Sequence, residues 1–150
     1  MSGLWATGVA VITTVGANGK YYGLTVNGLT SLSLDPPLFL ICMDRKSHTV
    51  QPLNESKVFC INILAAGQQE IARRFATKGD HKFDRVAVVR GDSGAPLIAG
   101  SLASLECRVR DAVEGGDHMV YIGDVLTAHA AEGEPLLFYR GGFSRLHPST

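Results

Sequence analysis

A chain of 150 residues, 45% hydrophobic and 19% charged, is long enough for one domain with a real core and apolar enough to suggest further burial against a partner subunit or a ligand. Fourteen basic and fourteen acidic residues balance, which argues against a dedicated nucleic-acid binder. No apolar run approaches membrane-spanning length, so no membrane partner is expected.

Met1–Thr14 has no basic region ahead of its apolar part and is a poor signal peptide. Gly8–Val15 is short, β-branched and glycine-bounded, and predicts a strand. Asn18-Gly19 is a hairpin signal, because both residues tolerate positive φ, and the return strand runs from Lys20 towards Val26. A polar stretch from Thr25 to Ser33 follows. Asp35-Pro36-Pro37 then breaks any helix and sets an extended start for Leu38–Met43. Ser47–Asn54 fits a short helix, and Val58–Leu64 fits another strand. In the following segment Ile71, Ala72 and Phe75 fall on one helical face, which predicts one clear helix.

From Val86 the strand signals return. Leu105, Cys107 and Val109 alternate with Glu106, Arg108 and Arg110. His118–Ala130 is apolar on both faces for several residues, as in a barrel or interface strand. The segment Leu136–Leu146 reads as a strand, a glycine kink and another strand. Seven or eight strands with one clear helix predict a mainly β fold, a closed or partly closed antiparallel barrel. Neither G-x-G-x-x-G nor G-x-x-x-x-G-K-[ST] occurs, so a nucleotide cofactor is not held on a Rossmann turn or a P-loop. Cys42, Cys60 and Cys107 form no C-x-x-C pair and read as small core side chains in a reducing compartment.

Four stretches invite chemistry. Thr25–Ser33 gathers four hydroxyls and the Asn27 amide, suited to a polar ring edge or a phosphate; the plainer alternative is a loop satisfying its own backbone. Arg45, Lys46, Ser47, His48 and Thr49 combine positive charge with hydroxyls; Ser47 fits a helix cap whose N-terminus could meet a phosphate, or an ordinary cap on a solvated loop. Phe75 and Phe83 interleave with Lys78, His81, Lys82 and Arg85, which suits a flat anionic ligand or, equally, a helix exit filling the core. Gly115–His118 puts a histidine before a strand, where a metal ligand, a proton-transfer group, a substrate contact and a turn residue are all open. The five histidines are far apart and show no paired spacing, so no metal site is expected. Asp92-Ser93-Gly94 reads as a turn rather than a nucleophile.

Read in order, the runs ATGVAVITT, GLTVNGLTSLSLDPPLFLICMDRKSHT, FCINILAAGQQEIARRFA, KF, GAPLIAGSLASLECRV, GDHMVYIGDV and PLLFYRGGFSRL resemble the flavin reductase family. These are the small reductase components of two-component flavin monooxygenases. The resemblance implies a Greek-key split barrel of the FMN-binding type over residues 1–150, working as a homodimer in the cytoplasm. It implies hydride transfer from NADH or NADPH to FMN or FAD, with reduced flavin passed to an oxygenase partner. Two alternatives are a non-catalytic flavin carrier and a related split-barrel oxidase or haem-binding protein. Thr25, Val26 and Asn27 resemble the segment at the flavin ring edge, with Ser31 near the ribityl or phosphate part. Met43 and Asp44 resemble ring or ribityl contacts, and Ser47, His48 and Thr49 the approach to the phosphate. Phe75 and Phe83 resemble residues of the segment closing over the flavin. His118 matches a residue beside the nicotinamide, as do Tyr139, Arg140 and Gly141 in the C-terminal segment. The sequence departs from the family at its start, where members carry a helix and only Met1–Trp5 precede Ala6 here.

Overall fold

The structure, a computed structural model, describes residues 1–147. After a single 3-10 turn at Ser2–Leu4, twelve strands and two helices follow in the order β1 (Thr7–Gly8), β2 (Ala10–Val15), β3 (Tyr21–Val26), β4 (Leu29–Leu34), β5 (Pro37–Asp44), α1 (Val50–Ser56), β6 (Val58–Ile63), α2 (Gln69–Phe75), β7 (Val88–Arg90), β8 (Pro96–Ile98), β9 (Ala103–Gly115), β10 (His118–Ala130), β11 (Leu137–Tyr139) and β12 (Gly142–Ser144). Seven strands form one antiparallel sheet in the order β3-β2-β6-β9-β10-β5-β4. β1, β11 and β12 form a second sheet, and β7 and β8 a third.

The fold is mainly β with small helices. A fully closed barrel is not formed, because β3 and β4 remain the two edges of the main sheet. The edges do approach one another. Only Asn27 and Gly28 separate them, and the Gly28 carbonyl accepts the Cys42 N–H of β5 at 2.7 Å.

β2 explains how the core divides. Its side chains alternate across the sheet, so Ala10 and Ile12 join Ile41, Met43, Phe59, Ile61 and Tyr121 on one side. Val11 and the preceding Val9 join Leu64, Ala72, Phe75 and Leu136 on the other. With both faces covered, β2 is apolar and β-branched throughout. Its two threonines are buried but partnered: Thr13 Oγ1 donates to the Pro96 carbonyl and Thr14 Oγ1 to that of Val58. Asn62 pins β8 to the sheet, giving Nδ2 to the Val11 carbonyl and receiving the Ile98 N–H on Oδ1.

The alternation expected on β9 holds, with one correction of environment. Glu106, on the charged face, is only 2% exposed. Its Oε1 accepts the Ser93 N–H at 2.8 Å and the Ser93 hydroxyl at 2.6 Å, and Oε2 accepts the Thr127 hydroxyl at 2.7 Å. Burial pushes this carboxyl up, but those donors together outweigh it and hold its pKa below the ordinary value. Ser93 is thus spent on a structural carboxylate inside a turn.

Three local expectations change. The polar stretch after Thr25 contains edge strand β4, whose hydroxyls face outward because an edge is half-solvated. The helix expected at Ser47–Asn54 begins at Val50, with Thr49 as its N-cap, and Ser47 Oγ accepts the Thr49 N–H instead of capping a helix. The C-terminal kink is a tight hairpin: Tyr139 pairs with Gly142, and Arg140 (φ 51) and Gly141 (φ 77) both turn through positive φ.

Candidate functional site

A cleft of about 420 Å³ opens beside β3. Its floor is β3 itself, through Tyr21, Tyr22, Gly23 and Leu24. One wall is the turn after β5, with Asp44, Lys46, Ser47, His48 and Thr49. The other is the segment leaving α2, from Ala76 to Asp80 with Lys82 and Phe83.

The second wall exists because α2 packs unusually close to β3. A β-carbon at Gly23 would lie 2.8 Å from the Phe75 ring, so only glycine admits that ring against the strand. Thr25 Oγ1 donates to the Ala72 carbonyl at 2.7 Å, tying the same two elements. Phe75 then meets Phe83 edge-to-face at 4.9 Å between centroids, and Phe83 packs on Tyr21 at 5.8 Å. Lys82 completes the fold-over. Its Nζ donates to the Gly23 carbonyl at 3.0 Å and the Phe75 carbonyl at 3.3 Å, and partial burial pulls its pKa down from the ordinary lysine value. Two of its three N–H donors are used this way, which leaves one for the cleft.

The first wall is a self-bonded turn. Asp44 Oδ1 accepts the Lys46 N–H at 2.9 Å, and the Asp44 carbonyl accepts the Ser47 N–H at 3.0 Å. Arg45 turns away, pairing with Glu114 at 3.3 Å and donating to the Gly116 carbonyl. The cleft therefore gathers Lys20, Lys46, Lys78 and Lys82 against Asp44 and Asp80, in a chain whose formal charges otherwise balance. Lys20 and Asp80 pair at 3.5 Å across exposed surface, and such a contact is weak.

Of the residues expected at a site, Asp44, Ser47, His48, Thr49 and Phe83 line this cleft together. Phe75 lies fully buried directly behind Phe83. Thr25 and Val26 end β3, with the Thr25 hydroxyl spent on Ala72; Asn27 and Ser31 are exposed along the corner and β4. Met43 is fully buried in the core, so its side chain meets other core residues. His118 opens β10 directly opposite Asp44, and opposed residues of antiparallel strands project on the same sheet face. Its Nδ1 lies 2.8 Å from Asp117 Oδ1, a bond that holds the Asp117 carboxyl below the ordinary range. Tyr139, Arg140 and Gly141 sit on the second sheet, where the Arg140 N–H reaches the Gly3 carbonyl, and none of the three lines the cleft.

Lys20, Tyr21 and Tyr22 line the cleft without having been expected there. The hairpin signal before them places a strand and carries no hint of a ligand. Among the described residues no three of His, Cys, Asp and Glu come together to hold a metal ion. No helix among them is long and apolar enough to cross a membrane.

The chain is similar to known proteins along nearly its whole length. The family described as "Flavin reductase like domain" matches residues 1–147. An NADH-dependent FAD reductase of Streptomyces globisporus is 44% identical over 154 residues, covering 97% of this chain and 82% of its own. The reductase component of a 4-nitrophenol 4-monooxygenase/4-nitrocatechol 2-monooxygenase of Rhodococcus opacus is 40% identical over 146 residues, covering 97% and 78%. The solved structure of the Streptomyces globisporus NADH:FAD oxidoreductase SgcE6 with NAD and FAD fragments superposes with a TM-score of 0.93 at 43% identity, covering 98% of this chain and 89% of that one.

Proposed function

The chain belongs to the flavin reductase-like domain family, and from that premise we propose that it is an NAD(P)H:flavin oxidoreductase. It passes a hydride from NADH or NADPH to FMN or FAD and supplies reduced flavin to an oxygenase component. The observation that carries this reading is the cleft: four lysines, two hydroxyl residues and three aromatic rings converge in a chain of zero formal net charge. That donor set fits a flavin nucleotide, with cations and hydroxyls for phosphate and flat apolar walls for a ring.

A bound flavin supplies the two-electron acceptor chemistry; the protein supplies binding, orientation and electrostatics. Lys46, Lys82, Ser47 and Thr49 hold the phosphate, beside His48. Phe83, backed by Phe75, shields the cleft from water. Thr25, Val26, Asn27 and Ser31 run from the cleft along the β3–β4 corner and serve as ring-edge and ribityl contacts. Asp44 contributes from the cleft wall, and Met43 supports it from the core. His118, beside Asp44 in register, positions the nicotinamide.

The sheet is read as a Greek-key split barrel, with the Gly28–Cys42 hydrogen bond drawing its edges together. The working unit is a homodimer, supported by the exposed apolar side chains of Leu32, Leu34, Val113 and Leu126. Tyr139, Arg140 and Gly141 act on the nicotinamide side through that dimer. Three free cysteines support a cytoplasmic setting.

Anaerobic mixing of protein, flavin and NADH tests the reading. Loss of reduced nicotinamide matched mole for mole by reduced flavin is expected. A protein that binds flavin and leaves NADH untouched would be a carrier instead.

A further inference from the structure

A second groove of about 310 Å³ adjoins the lysine-rich cleft, and the two share Tyr22 and His48. The β2–β3 turn forms one side, at Gly16, Ala17 and Asn18. Helix α1 forms the other, through Gln51, Pro52 and Glu55. Its size lies at the lower end of the range, roughly 300–1,000 Å³, typical of small-molecule sites.

The chemistry changes sharply at the shared boundary. Four lysines line the cleft, whereas no lysine or arginine lines the groove. The groove offers the Tyr22 ring and the Pro52 edge as flat surface. Gln51 brings an amide that both donates and accepts, and its Nε2 lies 3.2 Å from Glu55 Oε1. Glu55 brings a carboxylate, an acceptor for paired hydroxyls. An elongated ligand with its phosphates among the lysines would continue past His48 into this groove with an uncharged, flat, hydroxyl-bearing group.

We propose that the groove between the β2–β3 turn and α1 binds the adenosine half of a dinucleotide, with Tyr22 against the base, Gln51 at its edge and Glu55 on the free ribose diol. A ribose 2′-phosphate does not suit the site, because Glu55 would repel it and no cation of the groove would answer it. The proposal rests on the reductase reading for the position of the phosphates in the neighbouring cleft. FAD and NADH both carry this adenosine.

The test is calorimetric titration of ADP-ribose, FAD, FMN and NADH against the wild type, Gln51→Ala and Glu55→Ala. Both side chains are exposed on a helix surface and line the groove only. Each substitution should weaken ADP-ribose by about tenfold, the size of one lost charge-assisted hydrogen bond, and leave FMN unchanged. A parallel loss for FAD alone assigns the adenosine to the flavin, and a parallel loss for NADH alone assigns it to the nicotinamide nucleotide. Absence of ADP-ribose binding by the wild type, unchanged affinities in both variants, or an equal loss for FMN overturns the proposal. None of these readouts needs turnover. A chain that binds ADP-ribose through Gln51 yet oxidises no NADH would overturn the reductase reading and leave this site standing.

Discussion

Gly23 and Phe75 are in direct contact across the β3–α2 interface, so close that any β-carbon at 23 would lie 2.8 Å from the ring. This contact sets where α2 ends, where Phe83 stacks, and how Lys82 reaches back to the Gly23 carbonyl. Gly23→Ala should therefore cost about 1–3 kcal/mol of stability, the usual cost of overpacking a filled core. Flavin affinity should fall with it, because the same contact shapes the cleft wall. Urea denaturation paired with flavin titration checks both; an unchanged midpoint would show that α2 is free to shift.

Lys82 joins two roles, a tether for the closing segment and a cation in the cleft. Lys82→Met keeps most of the stem and removes the charge. FMN affinity should fall about 10- to 100-fold, as for a lost charge-assisted hydrogen bond. The remaining affinity should depend less steeply on salt. Fluorescence titration at two ionic strengths reads both effects, and a salt dependence equal to that of the wild type would remove Lys82 from phosphate binding.

Glu106 gives a pH signature of stability rather than activity. Its carboxyl is held below its ordinary value of 4.5 in the fold by Ser93 and Thr127. The stabilisation is therefore complete above that value and is lost as pH falls through the depressed folded value. Glu106→Gln should be less stable than the wild type at neutral pH by about 1–3 kcal/mol, because the Ser93 donors lose their charged acceptor. The gap should narrow on acidification. Melting temperatures measured from pH 7 into the acid range would show this convergence; parallel curves would mean that Glu106 does not titrate with folding.

His118 faces Asp44 across the β5–β10 ladder and is 44% exposed at the side chain. His118→Ala should slow reduction by NADH far more than it weakens flavin binding. Stopped-flow reduction beside flavin titration separates the two, and equal losses would sink the nicotinamide role.

Much of the fold could be read from local pattern. β2, β6 and β9 announce themselves by β-branched or alternating runs, and α2 by Ile71, Ala72 and Phe75 on one face. β4 was obscured because an edge strand tolerates hydroxyls that look like loop residues. The β11–β12 turn was obscured because Arg140 takes a positive φ normally left to Asn or Gly. The site divides in the same way. Ser47–Thr49 and Phe83 were found through charge and aromatic spacing, and they do meet. Lys20 and Tyr22 were missed because they join the cleft only when the α2 exit folds over β3, a long-range event written in one glycine.

The central claim, that the lysine-rich cleft holds the phosphate of the flavin being reduced, is tested most directly by comparing FMN with riboflavin as acceptor in NADH oxidation. The cleft predicts a KM for riboflavin about 10- to 100-fold above that for FMN, with Lys82→Met raising the FMN value towards it and leaving riboflavin nearly unchanged. Equal KM values for the two flavins in the wild type, or equal shifts for both in the variant, would contradict it.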